Sequence, residues 1–317
     1  MLKEKSVTKY IIKSPLNYIG GKAKILNQIL PLFPKKINNF IDLFAGGFNV
    51  GINVNAEKFF CNDNLTFLID MFKEFKEVEL EDSVYHIEKR IERFKLSQTN
   101  QNGFIEFRKF YNKTKQPLDL FVLIAYSFNH QIRFNNNHEF NNPFGKNRSC
   151  FNETMKLNLE RFIIKIKKME IEFSNKCFTE FDFTFLSEDD FVYCDPPYLI
   201  TTGTYNDGKR GFKGWSTKEE IALLKTLDKL TKANVKFALS NVLEHKGKSN
   251  EILKDWVNSN SNYQINTIDF NYSNSNYQTI IRDKKSSKEV LITNYQPLIT
   301  KQKSLFDEIY EDYEIYR

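Results

Sequence analysis

Two short apolar runs set close together constrain this chain more than any other feature. Phe40–Phe44 (FIDLF) ends in Ala45-Gly46-Gly47, and Lys58–Cys61 (KFFC) is closed by Asn62-Asp63-Asn64. Runs this short, bounded by turn residues, read as buried strands. Between them Phe48, Val50 and Ile52 continue toward Ala56, which predicts the first turns of a helix after the glycine turn. Strand, helix and strand in that order predict an α/β fold with a parallel sheet, because parallel neighbours need a crossover connection.

From Leu65 to Met169 the pattern turns helical, with helices predicted at Leu65–Phe75, Val84–Leu96, Phe104–Asn112, Leu118–Phe128 and Leu157–Met169. The polar and aromatic stretch Gln131–Lys146 lies between the last two and reads as a hairpin or ordered loop. Strand patterning then returns at Phe191–Cys194, Lys236–Leu239, Tyr263–Asp269 and Glu289–Thr293, with helices at Lys218–Lys232 and Ser249–Asn258. The α/β domain is therefore expected to be discontinuous, over 10–64 and 176–297. A helical module at 65–175 interrupts it, and 298–317 forms a tail.

Composition narrows the class. Of 317 residues, 41% are hydrophobic and 15% aromatic, enough to exclude a disordered chain. Lys and Arg number 46 against 40 Asp and Glu, and the resulting +6 permits a polyanionic partner without demanding one. Cys61, Cys150, Cys177 and Cys194 form no C-x-x-C pair and the four histidines show no ligand spacing, so no metal site is expected. No apolar run reaches the roughly eighteen residues of a membrane span, and Met1–Lys9 lacks a signal-peptide core. A soluble cytoplasmic protein is expected.

The sharpest chemical signal is Asp195-Pro196-Pro197-Tyr198, directly after the strand Phe191–Cys194. A carboxylate at a strand end can accept a hydrogen bond from a substrate N–H. Proline lacks a backbone donor, which leaves the Pro196 carbonyl to accept another, and Tyr198 offers a flat face for a planar ring. The set suits an exocyclic amino group. A second signal is Asp42-Leu43-Phe44-Ala45-Gly46-Gly47 followed by Asp63, where backbone N–H groups can approach a ligand and an acid can grip a ribose hydroxyl. It lacks the G-x-G-x-x-G spacing of a nicotinamide site. The third, Tyr18-Ile19-Gly20-Gly21-Lys22, is no phosphate loop, since Ala23 stands where Ser or Thr is required. Tyr18 can cover a flat or apolar ligand and Lys22 can meet a carboxylate; a solvated surface turn is the alternative.

Taken in order, Tyr18-x-Gly-Gly-Lys22, Asp42–Gly47, Asp63, Arg133-Phe-Asn with Pro143-Phe-Gly145, and Asp195–Tyr198 resemble the Dam-type DNA adenine-N6 methyltransferases. Asp195–Thr201 (DPPYLIT) and Ser240–Gly247 (SNVLEHKG) place the resemblance nearest the phage branch. It covers about Pro15 to Tyr295. The resemblance implies a Rossmann-like S-adenosylmethionine-dependent methyltransferase sheet whose helical insertion reads the target and bears a β-hairpin. It also implies S-adenosylmethionine as donor, held by Tyr18, Lys22, Asp42, Phe44, Gly46, Gly47, Asp63 and Asp195, with Phe181 at an adenine-contacting place. Asp195, Pro196, Pro197 and Tyr198 would be catalytic, acting on adenine N6 in double-stranded DNA within GATC or a related short palindrome.

Adenine N6 is hidden in the duplex, so the base must be extruded, at a cost of a few kcal/mol. Arg133 is expected to meet a guanine edge or a phosphate. Asn135, Asn137, Asn141 and Asn142 carry donors and acceptors suited to adenine edges, and Lys146 adds local charge. Phe134 or Phe140 is expected to wedge into the duplex. In the glycine-rich loop between Leu199 and Trp215, Lys209, Arg210 and Lys213 can meet phosphates, although a solvated insertion reads equally well. Gln302–Phe306 resembles a peptide that docks on the replication sliding clamp, and a restriction endonuclease encoded nearby is a further expected partner. Two other classes fit parts of the pattern: an amino methyltransferase acting on RNA or protein glutamine, and a catalytically idle DNA-binding regulator.

Overall fold

The computed structural model describes residues 11–18, 20–201, 215–269 and 287–298. A short helix α1 (Leu26–Ile29) leads into the first strand, β1 (Asn39–Asp42), and then β2 (Lys58–Asn62). Five helices follow: α2 (Thr66–Glu77), α3 (Leu80–Phe94), α4 (Gln101–Thr114), α5 (Pro117–Tyr126) and α6 (Glu153–Lys167). The chain returns through β3 (Ile171–Ser174) and β4 (Phe191–Cys194). It continues as α7 (Thr217–Lys232), β5 (Lys236–His245), β6 (Lys248–Ser249), α8 (Glu251–Asn258), β7 (Gln264–Ile268) and β8 (Ser287–Thr293). The sheet order is β3-β2-β1-β4-β5-β8-β7, with the short β6 paired to β5. β3, β2, β1, β4 and β5 are parallel neighbours, and β8 is antiparallel to both β5 and β7. This is the α/β architecture the sequence predicts.

Alternation along the strands explains why both faces are covered. Successive side chains point to opposite faces, and in β4 Phe191 and Tyr193 join one core while Val192 and Cys194 join the other. Phe40 and Ile41 in β1 divide the same way. The first core is roofed by the helical block, where Phe72, Phe75, Phe121 and Phe162 meet in tilted and edge-on contacts. α7 and α8 roof the second through Leu223, Leu227, Leu253 and Val257. Polar residues fix the helix starts: Ser216 and Glu219 form a capping box on α7, and Asn100, Asn152 and Asn250 each accept a backbone N–H at the starts of α4, α6 and α8.

Three expectations change here. The helix predicted after Gly47 is instead a turn with one 3-10 segment at Gly51–Asn53. Phe48 takes a positive φ of 55° and folds its ring over Gly51, where a Cβ would lie 2.1 Å from the ring. Next, β3 falls inside the stretch assigned to the helical module, yet it pairs with β2 and belongs to the sheet. Finally, the hairpin is present within 133–141, with Asn141 N–H donating to the Arg133 carbonyl and Asn135 N–H to the Glu139 carbonyl, each at 2.9 Å. Its Phe134 and Phe140 do not project as wedges. They face each other across the bridge, Phe134 stacking on Phe67 at 4.4 Å and Phe140 buried against Tyr111.

Candidate active site

The acids singled out in the sequence stand together at the carboxyl ends of parallel strands. Asp42 closes β1, Asp63 follows β2 and Asp195 follows β4. β1 and β4 are neighbours from which the strand order runs outward in opposite directions. A crevice at such a switch point is where open α/β sheets bind ligands.

The N-terminal segment is tied down beside it. Asn53 clasps Ile12 from both sides, accepting its N–H at 2.8 Å and donating to its carbonyl at 2.7 Å, and Asn49 Oδ1 accepts the Ser14 N–H at 3.0 Å. This strap delivers Tyr18 and Lys22 to the glycine turn. Gly46 has a φ of +48°, and a Cβ there would lie 2.9 Å from the Tyr18 ring, so glycine is needed for conformation and space alike. Gly47 is similarly crowded by Tyr18 and Asn49. Asp63 holds the same turn: Oδ2 accepts the Gly46 N–H and Oδ1 the Leu65 N–H, both at 2.9 Å. Burial raises its carboxyl above the usual range, opposed by those two bonds.

Asp42 is a strongly perturbed acid. Burial first, then the nearby Asp195 carboxylate, push it up to about 8 against the pull of the Gly51 N–H. Its Oδ2 accepts that N–H at 3.2 Å, while the buried Oδ1 has no hydrogen-bond partner among the described residues. The folded state thus holds a proton that the unfolded chain releases near pH 4, and stability falls as pH rises from about 4 to about 8. Asp42→Asn should therefore raise the melting temperature by an amount that grows across this range and vanishes below pH 4. The gain at pH 8 is on the order of a few kcal/mol; thermal melts at a series of pH values check it, and a pH-independent difference would refute it.

Asp195 meets a cation and a hydroxyl. Lys22 Nζ lies 2.7 Å from Oδ2 and donates to the Gly20 carbonyl at 2.8 Å, and the Tyr198 hydroxyl donates to Oδ1 at 3.1 Å. Lys22 is buried and its ammonium sits 5.1 Å from the centre of the Tyr198 ring. Burial raises the Asp195 carboxyl, while Lys22 and Tyr198 pull it down. Pro196 is buried and Pro197 half-buried on the turn between the two. Glu289 of β8, which sequence reasoning missed, completes the cluster: at 3% exposure its Oε1 is 3.1 Å from the Tyr198 hydroxyl and 3.9 Å from Lys22 Nζ. The available signal was a lone acid heading the apolar run EVLIT.

Phe44 lies in an aromatic group that was also only partly foreseen, with ring centres 5.5 Å from Phe178 and 5.7 Å from Trp215. Phe181 packs on Phe183 against the second core. In the hairpin, exposed Arg133 donates from Nε and Nη2 to the side chain and carbonyl of Asn141, each at 2.9 Å. Asn135 organises the hairpin turn by accepting the N–H groups of Asn137 and Glu139, and Asn142 is buried, donating to the Phe128 and Gln131 carbonyls. Asn137 and Lys146 are exposed. Lys209, Arg210, Lys213 and the segment 302–306 lie outside the described residues. Among the described residues no helix is long and apolar enough to cross a membrane.

Comparison with known proteins agrees with this arrangement. The chain is 54% identical over 291 residues to modification methylase StsI of Streptococcus sanguinis and 53% identical over 291 residues to type II methyltransferase M.FokI of Planomicrobium okeanokoites. Each match covers 92% of this chain and 44% of the relative, so the chain spans about half the length of these proteins. The DNA N-6-adenine-methyltransferase of Escherichia phage P1 is 26% identical over 227 residues, 67% of this chain and 28% of that protein. That overturns the expected nearness to the phage branch, because the two type II enzymes share twice the identity over a longer stretch. The sequence profile of D12 class N6 adenine-specific DNA methyltransferases matches residues 18–274, from the Tyr18 turn through β7. The chain belongs to the D12 class N6 adenine-specific DNA methyltransferase family.

Proposed function

We propose that this chain transfers a methyl group from S-adenosylmethionine to N6 of an extruded adenine in duplex DNA, as the modification half of a restriction-modification pair. The observation that carries the reading is Asp195, raised and partly exposed at the switch point, with Pro196, Pro197 and Tyr198 in line behind it. Modification-methylase relatives support the type II role and a restriction endonuclease as genetic partner.

The crevice suits the donor on its own chemistry. An orphaned buried carboxyl oxygen on Asp42, the tight Gly46-Gly47 turn and the flanking ring of Phe44 match a ligand with polar hydroxyls and a flat heterocycle. Tyr18, Lys22, Asp63 and Phe181 would line the rest. When bound, S-adenosylmethionine supplies an electrophilic methyl on a cationic sulfur.

Asp195 and the Pro196 carbonyl accept the two N6 hydrogens and turn the nitrogen lone pair outward, while Tyr198 stacks on the base. After transfer, the surplus proton on N6 passes to Asp195, whose raised affinity for protons suits it to receive one. Positioning and preorganised dipoles supply much of the acceleration. Arg133, Asn135, Asn137, Asn141 and Lys146 present the recognition surface, with Phe134 and Phe140 as its rigid base. The helical block with this hairpin is the recognition module.

GATC is the site that the Dam-type resemblance implies, and it is the first arm of the test. Labelled methyl transfer is measured to plasmids carrying GATC, its single-base variants and random sites, and in parallel to RNA and to a glutamine-containing peptide. Incorporation into N6-methyladenine of DNA at one short site is expected. Labelling of RNA or peptide but not DNA would overturn the assignment, and equal labelling of all plasmids would refute site specificity.

A further inference from the structure

Both oxygens of Asp195 are already engaged, Oδ2 by Lys22 and Oδ1 by the Tyr198 hydroxyl. An incoming amino group must share those oxygens with the two partners, and binds more strongly as they let go. The Tyr198 hydroxyl has one hydrogen and stands equally near two acceptors, 3.1 Å from Asp195 Oδ1 and 3.1 Å from Glu289 Oε1. The one hydrogen is shared between them or given fully to either. Lys22 Nζ, bonded to Asp195, lies 3.9 Å from the same Glu289 oxygen.

Glu289 is placed oddly for a residue without such a task. It pairs in register with Val242 on β5 and Ile268 on β7, and Val290, Leu291 and Ile292 after it are fully buried. A carboxylate in such surroundings is costly unless paired. Among the described residues, its neighbours include the two groups that occupy Asp195.

We propose that Glu289 is a positioning residue that receives the Tyr198 hydroxyl, and shares the Lys22 charge, as Asp195 turns to the substrate amine. The hydrogen stays on Tyr198 Oη and only its acceptor changes, from Asp195 Oδ1 to Glu289 Oε1. The hydroxyl keeps a carboxylate acceptor throughout, and the aromatic ring keeps its place while Asp195 is released. This rests on the reading above that Asp195 accepts the N6 hydrogen.

Single-turnover methyl transfer to duplex DNA, with both substrates saturating, tests the exchange. Glu289→Ala is expected to slow the step about 100-fold, a size usual for one preorganised hydrogen bond, while donor and DNA affinities stay within about threefold. Glu289→Gln keeps an oxygen that can accept the hydroxyl and should return the rate to within about tenfold of wild type. With Tyr198→Phe already present, Glu289→Ala should cost less than about fivefold, since the hydroxyl it serves is gone. An equal loss in both backgrounds, or a glutamine variant as slow as the alanine one, overturns the proposal. In the ligand-free protein carrying ring-13C tyrosine, Glu289→Gln should shift the Tyr198 resonance and leave the other tyrosines in place; no shift overturns it too. A wild type that methylates no DNA would sink the proposed function instead, and the resonance measurement would still decide the Glu289–Tyr198 link.

Discussion

Asp195→Ala should yield a folded protein that binds duplex DNA and S-adenosylmethionine yet transfers methyl groups at least about 1,000-fold more slowly than wild type, roughly 4 kcal/mol of lost transition-state stabilisation. The substitution removes the acceptor that orients the amine but leaves the Pro196 carbonyl, the Tyr198 ring and the hairpin in place. It also leaves Lys22 without its nearest anion. Glu289 is 3.9 Å from the ammonium, so the charge has somewhere to turn and the fold should survive. Gel-shift binding and single-turnover transfer measured on one preparation separate the two effects. Transfer at the wild-type rate would remove Asp195 from the chemistry.

Lys22→Ala should act on the fold itself. Among the described residues Lys22 is the cation that faces Asp195 and Glu289, and its removal takes a countercharge from both carboxylates at once. Breaking a buried pair from one side costs about 3–5 kcal/mol, which for a chain of this size lowers the melting temperature by roughly 10 °C. The deficit has a direction in pH. Without Lys22 the Asp195 carboxyl loses the largest influence opposing its burial, so the folded state binds its proton more tightly than the unfolded chain does. Stability then falls further as pH rises, and the gap to wild type should be wider at pH 8 than at pH 5. A gap that narrows with rising pH would show that Lys22 does not hold these acids.

What the sequence disclosed was chemistry carried by contiguous residues. Asp195-Pro-Pro-Tyr198 and Asp42–Gly47 are legible because strand, turn and functional groups follow one another along the chain. Glu289 belongs to the same site through sheet pairing, which no local pattern records. The false helix after Gly47 had a visible flaw, since Phe48, Val50, Ile52 and Val54 recur every two residues and not at helical spacing. Phe134 and Phe140 carry a similar lesson. Directly opposed partners in a hairpin point to one face, and for this bridged pair that face is the core. Motifs shared by a whole family place a chain within it but do not rank its branches, and the phage affinity failed for that reason.

The strand that brings Glu289 has one more consequence. β8 lies between β5 and β7, so it enters the sheet after both of its neighbours have been synthesised. Until it does, β5 has an open edge, and Lys22 and Tyr198 have only Asp195 of the two acids. The amino-terminal strap and the glycine turn, by contrast, are held by contacts within residues 12–65. The cluster of Lys22, Asp195, Tyr198 and Glu289 is thus assembled from three distant parts of the chain and is complete only when β8 has paired.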